Sequence, residues 1–263
     1  VTYALAGRFD EARGFGIVGD TFRNAEALRR YGLGWFSVGD VDLATCIHRT
    51  GLLRSGASLS EATAAVARGL GVAPAATVLP MSDDPVRTVV VTGEGRLPFQ
   101  EYLVARRAGP AVLAVEHDGL AAARPAPAVL PALGAADVVV LAPSSPVASL
   151  APILALPGVR AAVRAARTVA VTPVVSGVAP ATGPEQSRAR VRSAFMAAAG
   201  LPHTATAVAG LYADLADCFI LDERDAAESA AIEALGLSVR TADTLARGES
   251  RVSLAEAVLS AAP

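Results

Sequence analysis

Three groups of residues in this sequence have the types and spacing to handle a charged ligand. Ser82, Asp83, Asp84 and Pro85 follow an apolar run at 76–80. Adjacent carboxylates after a strand can hold a divalent cation through oxygen ligands. The same residues also build ordinary solvated turns, because Asp and Pro favour turn geometry. Pro143, Ser144, Ser145 and Pro146 follow ADVVVLA (136–142), the most apolar run in the chain. Small hydroxyls and bare backbone N–H groups at a helix start suit a phosphate. Ligands of open α/β sheets also gather at the carboxyl ends of strands. Plain N-capping by Ser144 or Ser145 would use the same donors. Gly39, Asp40 and Asp42 precede a helical stretch. They read as capping and dipole compensation, or as partners for a metal or a ligand hydroxyl.

Other matches are weaker. Gly14, Gly16 and Gly19 satisfy G-x-G-x-x-G, but a dinucleotide site needs a strand before them. The charged RFDEAR precedes them and reads as helix, as does the whole opening VTYALAGRFDEA. A glycine turn between helices is therefore expected. His48, His117 and His203 are isolated, and no Ser–His–Asp or Cys–His arrangement follows from spacing.

These residues must be positioned by a fold, and composition bounds it. The chain has 263 residues, 52% hydrophobic and 18% charged, with a formal net charge of −2. A disordered chain would show the reverse balance, and a sequence-independent phosphate-backbone binder needs a basic excess. Nucleic acid is not an expected partner. All 23 basic residues are Arg, which excludes a Schiff-base or P-loop lysine. Two distant cysteines, Cys46 and Cys218, are neither a disulfide framework nor a zinc site, so a cytoplasmic location is expected. Residues 138–159 are uncharged, but Pro143, Pro146, Pro152 and Pro157 break them. A strand, a turn and a short helix fit better than a membrane span.

Apolar β-branched runs alternate with Ala-rich helical patterns. Strands are expected at 76–80, 86–92, 110–116, 136–142, 167–173, 218–222 and 237–242. Continuously apolar runs mark strands covered on both faces, as in a parallel sheet. Helices are expected over DVDLATCIHRTGLLR (40–54) and GASLSEATAAVARGLG (56–71), the second with a Ser58–Glu61 capping box and closing glycines. Further helices are expected at 185–199, 204–216, 223–235 and 252–262. The fold class is thus α/β, doubly wound and Rossmann-like, with a mainly parallel sheet. Residues 1–71 and 126–263 would form its core. Residues 72–125, with hairpin-like Gly93 and Gly95, would form a smaller α+β insertion.

Taken in order, GWFSVGDVDLATCIHRTGLLRSGASLSEAT, LPMSDDPVRT, LPFQEYLVARRAGPAV, APSSPVASLAPILALPGVRAAV, VAVTPVV, FILDERD and ADTLA resemble the 2-phospho-L-lactate transferase family of the CofD/FbiA type. The resemblance runs from about Gly14 to Thr244. It implies a role in coenzyme F-420 biosynthesis. A phosphoenolpyruvyl or 2-phospho-L-lactyl group would move from a guanosine diphosphate-linked donor to the deazaflavin FO, releasing GMP. Magnesium would assist, and a homodimer is the family tendency. Asp83 and Asp84 match the family's S-D-D-P turn and are candidate metal ligands. Ser144 matches its P-S-N-P turn, with Ser145 in the place of the Asn. Gly39, Asp40 and Asp42 match its G-D-R-D segment, and Asp20 and Thr21 its N-D-T-F segment. Phe99 and Gln100 match its H-F-Q segment.

The departures fall where ligands are expected. Ser37 replaces a Lys or Arg that helps hold FO, Val41 replaces an Arg, Pro98 a His, and Thr182 a Lys. One lost charged hydrogen bond costs about 1.5–3 kcal/mol. A non-catalytic relative that binds a nucleotide or nucleotide-sugar as a regulator is therefore the alternative. The family also opens with a strand, a glycine-rich loop and a metal-binding Asp that precede the segment matching Val1. By that resemblance the metal-binding Asp is expected to lie in a segment preceding this sequence, the catalytic residues are left unassigned, and the main sheet is expected to want a strand.

Overall fold

The fold is known from a computed structural model, which describes residues 1–177, 183–246 and 250–261. Two sheets organise it. The first is antiparallel, with strands β1 (Arg87–Thr92), β2 (Gly95–Pro98) and β3 (Val112–Asp118) in the order β2-β1-β3. Gly93 and Glu94 form the tight β1–β2 loop, with Thr92 opposite Gly95. The second is parallel, with β4 (Val139–Leu141), β5 (Thr168–Val171), β6 (Cys218–Asp222) and β7 (Ser238–Ala242) in sequence order.

Every residue of β5 and β6 is buried, because helices cover both faces of the parallel sheet. On one face Ala170, Phe219 and Leu221 pack with Val159, Val163, Val208 and Tyr212. On the other, Val169, Val171, Cys218 and Ile220 pack with Val258 and Ala261. Successive strand residues point to opposite faces, so two covered faces require the unbroken apolar runs seen in the sequence.

The helices are α1 (Thr2–Leu5), α2 (Arg23–Arg29), α3 (Asp40–Arg54), α4 (Leu59–Leu70), α5 (Val129–Gly134), α6 (Ala151–Leu154), α7 (Val159–Ala165), α8 (Gly183–Ala198), α9 (Ala205–Tyr212), α10 (Ser229–Glu233) and α11 (Ser250–Ala261). The capping box of α4 forms as its sequence requires: Ser58 Oγ accepts from Glu61 N, and Glu61 accepts from Ser58 N. Gly71 closes that helix in the left-handed region at φ 81°.

Several expectations need correction. Residues 76–80 form no strand; Pro80 has no N–H for a ladder, and Leu79–Met81 instead line an apolar cavity against β4. Among the described residues no strand pairs with the outer side of β4. Helix 223–235 splits into a 3-10 turn, Glu223–Glu228, followed by α10. RFDEAR is not helical. α1 stops at Leu5, and Phe9 bridges Ile17 across a chain of turns. Gly14, Gly16 and Gly19 all sit near φ +75° in those turns, a backbone shape that needs glycine rather than a phosphate fingerprint. In 138–159, β4 is followed by a turn, a wide helical turn at Pro146–Leu150 and α6. Among the described residues no single helix is long and apolar enough to cross a membrane.

α8 joins the two halves. Its Val191 and Phe195 pack into the antiparallel sheet with Val90, Leu97 and Tyr102. The Phe195 ring lies 5.8 Å from Phe99 and 6.0 Å from Tyr102. The helix also packs against the Pro146–Leu150 turn that follows β4.

Candidate functional site

Two cavities meet against α8. The first, about 550 Å³, is walled by Phe15, Trp35, Phe36, Leu103 and Val104, with Ser37, Gln100, Ser187 and Arg188 as its polar groups. Trp35 and Phe36 lie with ring centroids 5.5 Å apart and are half-exposed. Phe15 is held from behind: its ring meets Phe22 edge-on at 6.5 Å, and the Arg13 guanidinium stacks over Phe22 at 4.5 Å. Arg188 Nη2 donates to Gly14 O at 3.2 Å and ties α8 to the glycine turn.

The second cavity, about 330 Å³, is lined by Phe99, Leu103, Ser144, Ser145, Ser149, Arg188 and Arg192, among others. Leu103 and Arg188 belong to both cavities and form the wall between them. Ser145 Oγ accepts from Ala148 N at 3.1 Å, so Ser145 is the N-cap of the turn at Pro146–Leu150. Ser144 and Ser149 make no side-chain hydrogen bond among the described residues.

Ser82, Asp83 and Asp84 lie elsewhere, in a third cavity with Arg49 and Ser58. Ser82 is buried, and its Oγ donates to Arg124 O at 2.5 Å. Asp83 Oδ1 accepts from Ser60 N at 2.6 Å at the start of α4. Asp84 Oδ2 accepts from Arg124 N at 2.9 Å. Each carboxylate thus keeps one oxygen outside these bonds. Magnesium asks for six oxygens in near-octahedral order. Among the described residues no three His, Cys, Asp or Glu side chains come together for a metal. The pair alone does not make a magnesium cage.

Gly39, Asp40 and Asp42 line none of these three cavities. They are engaged in reciprocal capping. Asp20, which is buried, accepts from Val41 N at 2.9 Å and Asp42 N at 3.0 Å, and so caps α3. Asp40 accepts from Thr21 Oγ1 and from Asn24 N at 2.9 Å, at the start of α2. The Thr21 hydroxyl, with help from that backbone N–H, holds the Asp40 carboxyl below its ordinary value. Gly39 is required by contact: a Cβ there would overlap the Asp20 carboxylate. Asp42 accepts from Tyr3 OH at 2.5 Å. Burial, with that bond, pushes the Tyr3 hydroxyl pKa up. Asp20→Ala is expected to cost about 1–2 kcal/mol, the usual loss for a cap, and to lower the midpoint of urea unfolding. Unchanged unfolding would show that α3 does not use this cap.

Of the residues the sequence pointed to, Ser37 and Gln100 line the first cavity, Ser144 and Ser145 line the second with Phe99, and Ser82, Asp83 and Asp84 line the third. Thr182 lies outside the described residues. The reading from sequence missed Trp35, Phe36, Arg188 and Arg192. The available signals were the one Trp in the chain and two Arg at helical i, i+4 spacing.

Comparison with known proteins bears on this arrangement. The family model described as 2-phospho-L-lactate transferase CofD matches residues 8–252. A 2-phospho-L-lactate transferase of Methanosarcina mazei is 37% identical over 263 residues, covering 99% of this chain and 84% of the relative. A phosphoenolpyruvate transferase of Streptomyces griseus is 41% identical over 247 residues, covering 91% of this chain and 75% of the relative. Among solved structures, a Bacillus halodurans protein of the UPF0052 family superposes with a TM-score of 0.52 at 18% identity, covering 87% of this chain and 73% of that one. That likeness is one of fold.

Proposed function

This chain belongs to the 2-phospho-L-lactate transferase CofD family, and from that premise we propose which reaction it serves and where. The proposed reaction transfers a phosphoenolpyruvyl or 2-phospho-L-lactyl group from a guanosine diphosphate-linked donor to FO. The acceptor's ribityl oxygen forms a new bond to phosphorus. The phosphorus–oxygen bond to GMP breaks, GMP keeps the electron pair, and the hydroxyl proton passes to water. In-line alignment and charge stabilisation supply most of such catalysis, and no covalent enzyme intermediate is needed.

The observation that carries this reading is the shared wall. An aromatic cavity of about 550 Å³ suits a flat, conjugated ring. It adjoins, through Leu103 and Arg188, a cavity lined with hydroxyls and guanidinium groups. An acceptor ring in the first would place its sugar-like tail toward phosphate groups in the second. Magnesium in this proposal arrives with the donor and takes its ligands mainly from phosphates and water. A homodimer in the cytoplasm is part of the same proposal.

The test is a titration of the protein into FO, followed by FO fluorescence anisotropy. Saturable binding is expected. Its absence in a folded sample would overturn the reading. Turnover with a guanosine diphosphate-linked donor should follow in the native sequence. Turnover that arises only after Ser37→Arg and Val41→Arg would favour the regulatory alternative.

A further inference from the structure

We propose that His117 is a positioning residue, which holds the turn at Pro146–Leu150 by donating a hydrogen bond from Nε2–H to the Val147 carbonyl. The hydrogen bond stands on geometry alone; only its consequence for turnover rests on the transferase reading.

The turn itself creates the need. It is wound wide: Leu150 N donates to Ser145 O at 3.1 Å and Ala151 N donates to Pro146 O, each five residues back. The next donor in that series would be Pro152 N, and proline has no N–H. Val147 O therefore loses the donor that the series would give it. His117 Nε2 lies 3.1 Å from that oxygen. A carbonyl only accepts, so Nε2 carries the hydrogen. The other ring nitrogen, Nδ1, lies 3.3 Å from Thr88 Oγ1, and in a neutral ring it accepts from that hydroxyl. Burial lowers the His117 pKa by more than the bond to Val147 raises it, so the neutral ring prevails at neutral pH. Thr88 is the residue directly opposite His117 across β1 and β3. One imidazole thus joins β1, β3 and the turn.

The joint lies where the two halves of the molecule share the candidate site. Val147 packs against both the main core and the core of the antiparallel sheet. The antiparallel half supplies Phe99 and Leu103 to the smaller cavity, and the turn after β4 supplies Ser144, Ser145 and Ser149. Leu103 also walls the aromatic cavity. The His117–Val147 bond thereby sets where the turn stands relative to the wall that an acceptor would lean on. In-line transfer is sensitive to such spacing, and a displacement of about 1 Å can cost about 100-fold. His117 lines neither cavity, so it acts through the turn and not on a ligand.

The test compares His117→Phe, which keeps a ring and removes the donor, with His117→Gln, which keeps an N–H of similar reach. All measurements use the full chain. Nitrogen-15 NMR of histidine-labelled protein should show His117, identified by the signal lost in His117→Gln, protonated at Nε2 and bare at Nδ1. Hydrogen exchange over residues 144–151 should be about fivefold faster in His117→Phe, the equivalent of one ordinary hydrogen bond, and near wild type in His117→Gln. Turnover of FO with a guanosine diphosphate-linked donor should show kcat lowered about 5- to 10-fold in His117→Phe, with the KM for FO within about twofold of wild type. His117→Gln should restore most of that kcat. A ring protonated at Nδ1 alone would overturn the proposal, as would unchanged exchange over 144–151 in His117→Phe. Exchange raised equally throughout the chain, or an equal loss of kcat in both variants, would make His117 a residue of general stability instead. Should His117→Phe fail to fold, His117→Asn, whose shorter amide stops short of Val147, carries the same expected and overturning results. Wild type that shows the Nε2–H ring and the exchange difference but no turnover keeps the His117 contact and removes the transferase reading.

Discussion

Trp35→Ala is expected to weaken FO binding by about 5- to 150-fold, the equivalent of about 1–3 kcal/mol for one ring stacked on an aromatic side chain. Trp35 supplies the largest flat surface of the cavity and is half-exposed in the free protein. Nothing in the core depends on it, so the variant should fold and melt as the wild type does. The effect should therefore appear in ligand affinity and not in stability. Trp35→Phe should recover most of the affinity, because a smaller π-face remains. Anisotropy of FO measured across the three proteins checks this. Equal affinity in Trp35→Ala would place the acceptor ring elsewhere. Trp35 fluorescence gives a second reading, since a stacked deazaflavin should quench it.

The second large effect concerns stability. Asp222→Ala should destabilise the fold by about 3 kcal/mol, because removing one side of a buried, hydrogen-bonded charge strands its partners. Asp222 ends β6 and is fully buried. Its Oδ1 accepts from Arg224 N at 3.0 Å and Arg224 Nη1 at 2.9 Å. Its Oδ2 accepts from Thr244 N at 2.9 Å and Thr244 Oγ1 at 2.7 Å. The carboxylate thus ties the end of β6 to the chain beyond β7. Beside it, Asp225 accepts from Ser176 N and anchors the segment after β5. For a chain of this size, about 3 kcal/mol lowers the melting temperature by roughly 6–12 °C.

The same residue predicts an acid limb. Burial alone would raise the Asp222 pKa, but hydrogen bonds from Arg224 and Thr244 outweigh it and hold the carboxyl below its ordinary 3.8. A depressed folded pKa means the unfolded chain takes up the proton first. The stabilisation is therefore complete above pH 3.8 and is lost as pH falls from there through the folded value. Urea unfolding followed between neutral and acid pH should show a shallower acid decline in Asp222→Asn than in wild type. Parallel declines would mean that Asp222 carries no such linkage.

Sequence alone determined the elements whose cause is local. CFILD is a fully covered strand because every one of its residues is apolar but the last. α4 begins and ends where Ser58, Glu61 and Gly71 say it must. The order of short turn motifs was enough to place the chain in its family, since each turn demands particular residues at particular steps. The failures were also local in origin. ATVLP is as apolar as a strand, but a strand needs a partner and a free N–H, and Pro80 denies one of these.

What only the tertiary structure decided was how the charges are used. A carboxylate beside a helix start can cap it, bind a metal or meet solvent, and spacing along the chain cannot choose between these. Asp20 caps a helix some 20 residues away, Asp83 one that precedes it, and Asp40 one before its own. These bonds engage the very groups that read as ligands. Conversely, Ser144 and Arg192 lie far apart in sequence and line one cavity only because α8 packs against the Pro146–Leu150 turn that follows β4. Local sequence fixes which face of an element is apolar. The partner of a polar group depends on which elements packing brings into contact, and that is a property of the whole chain.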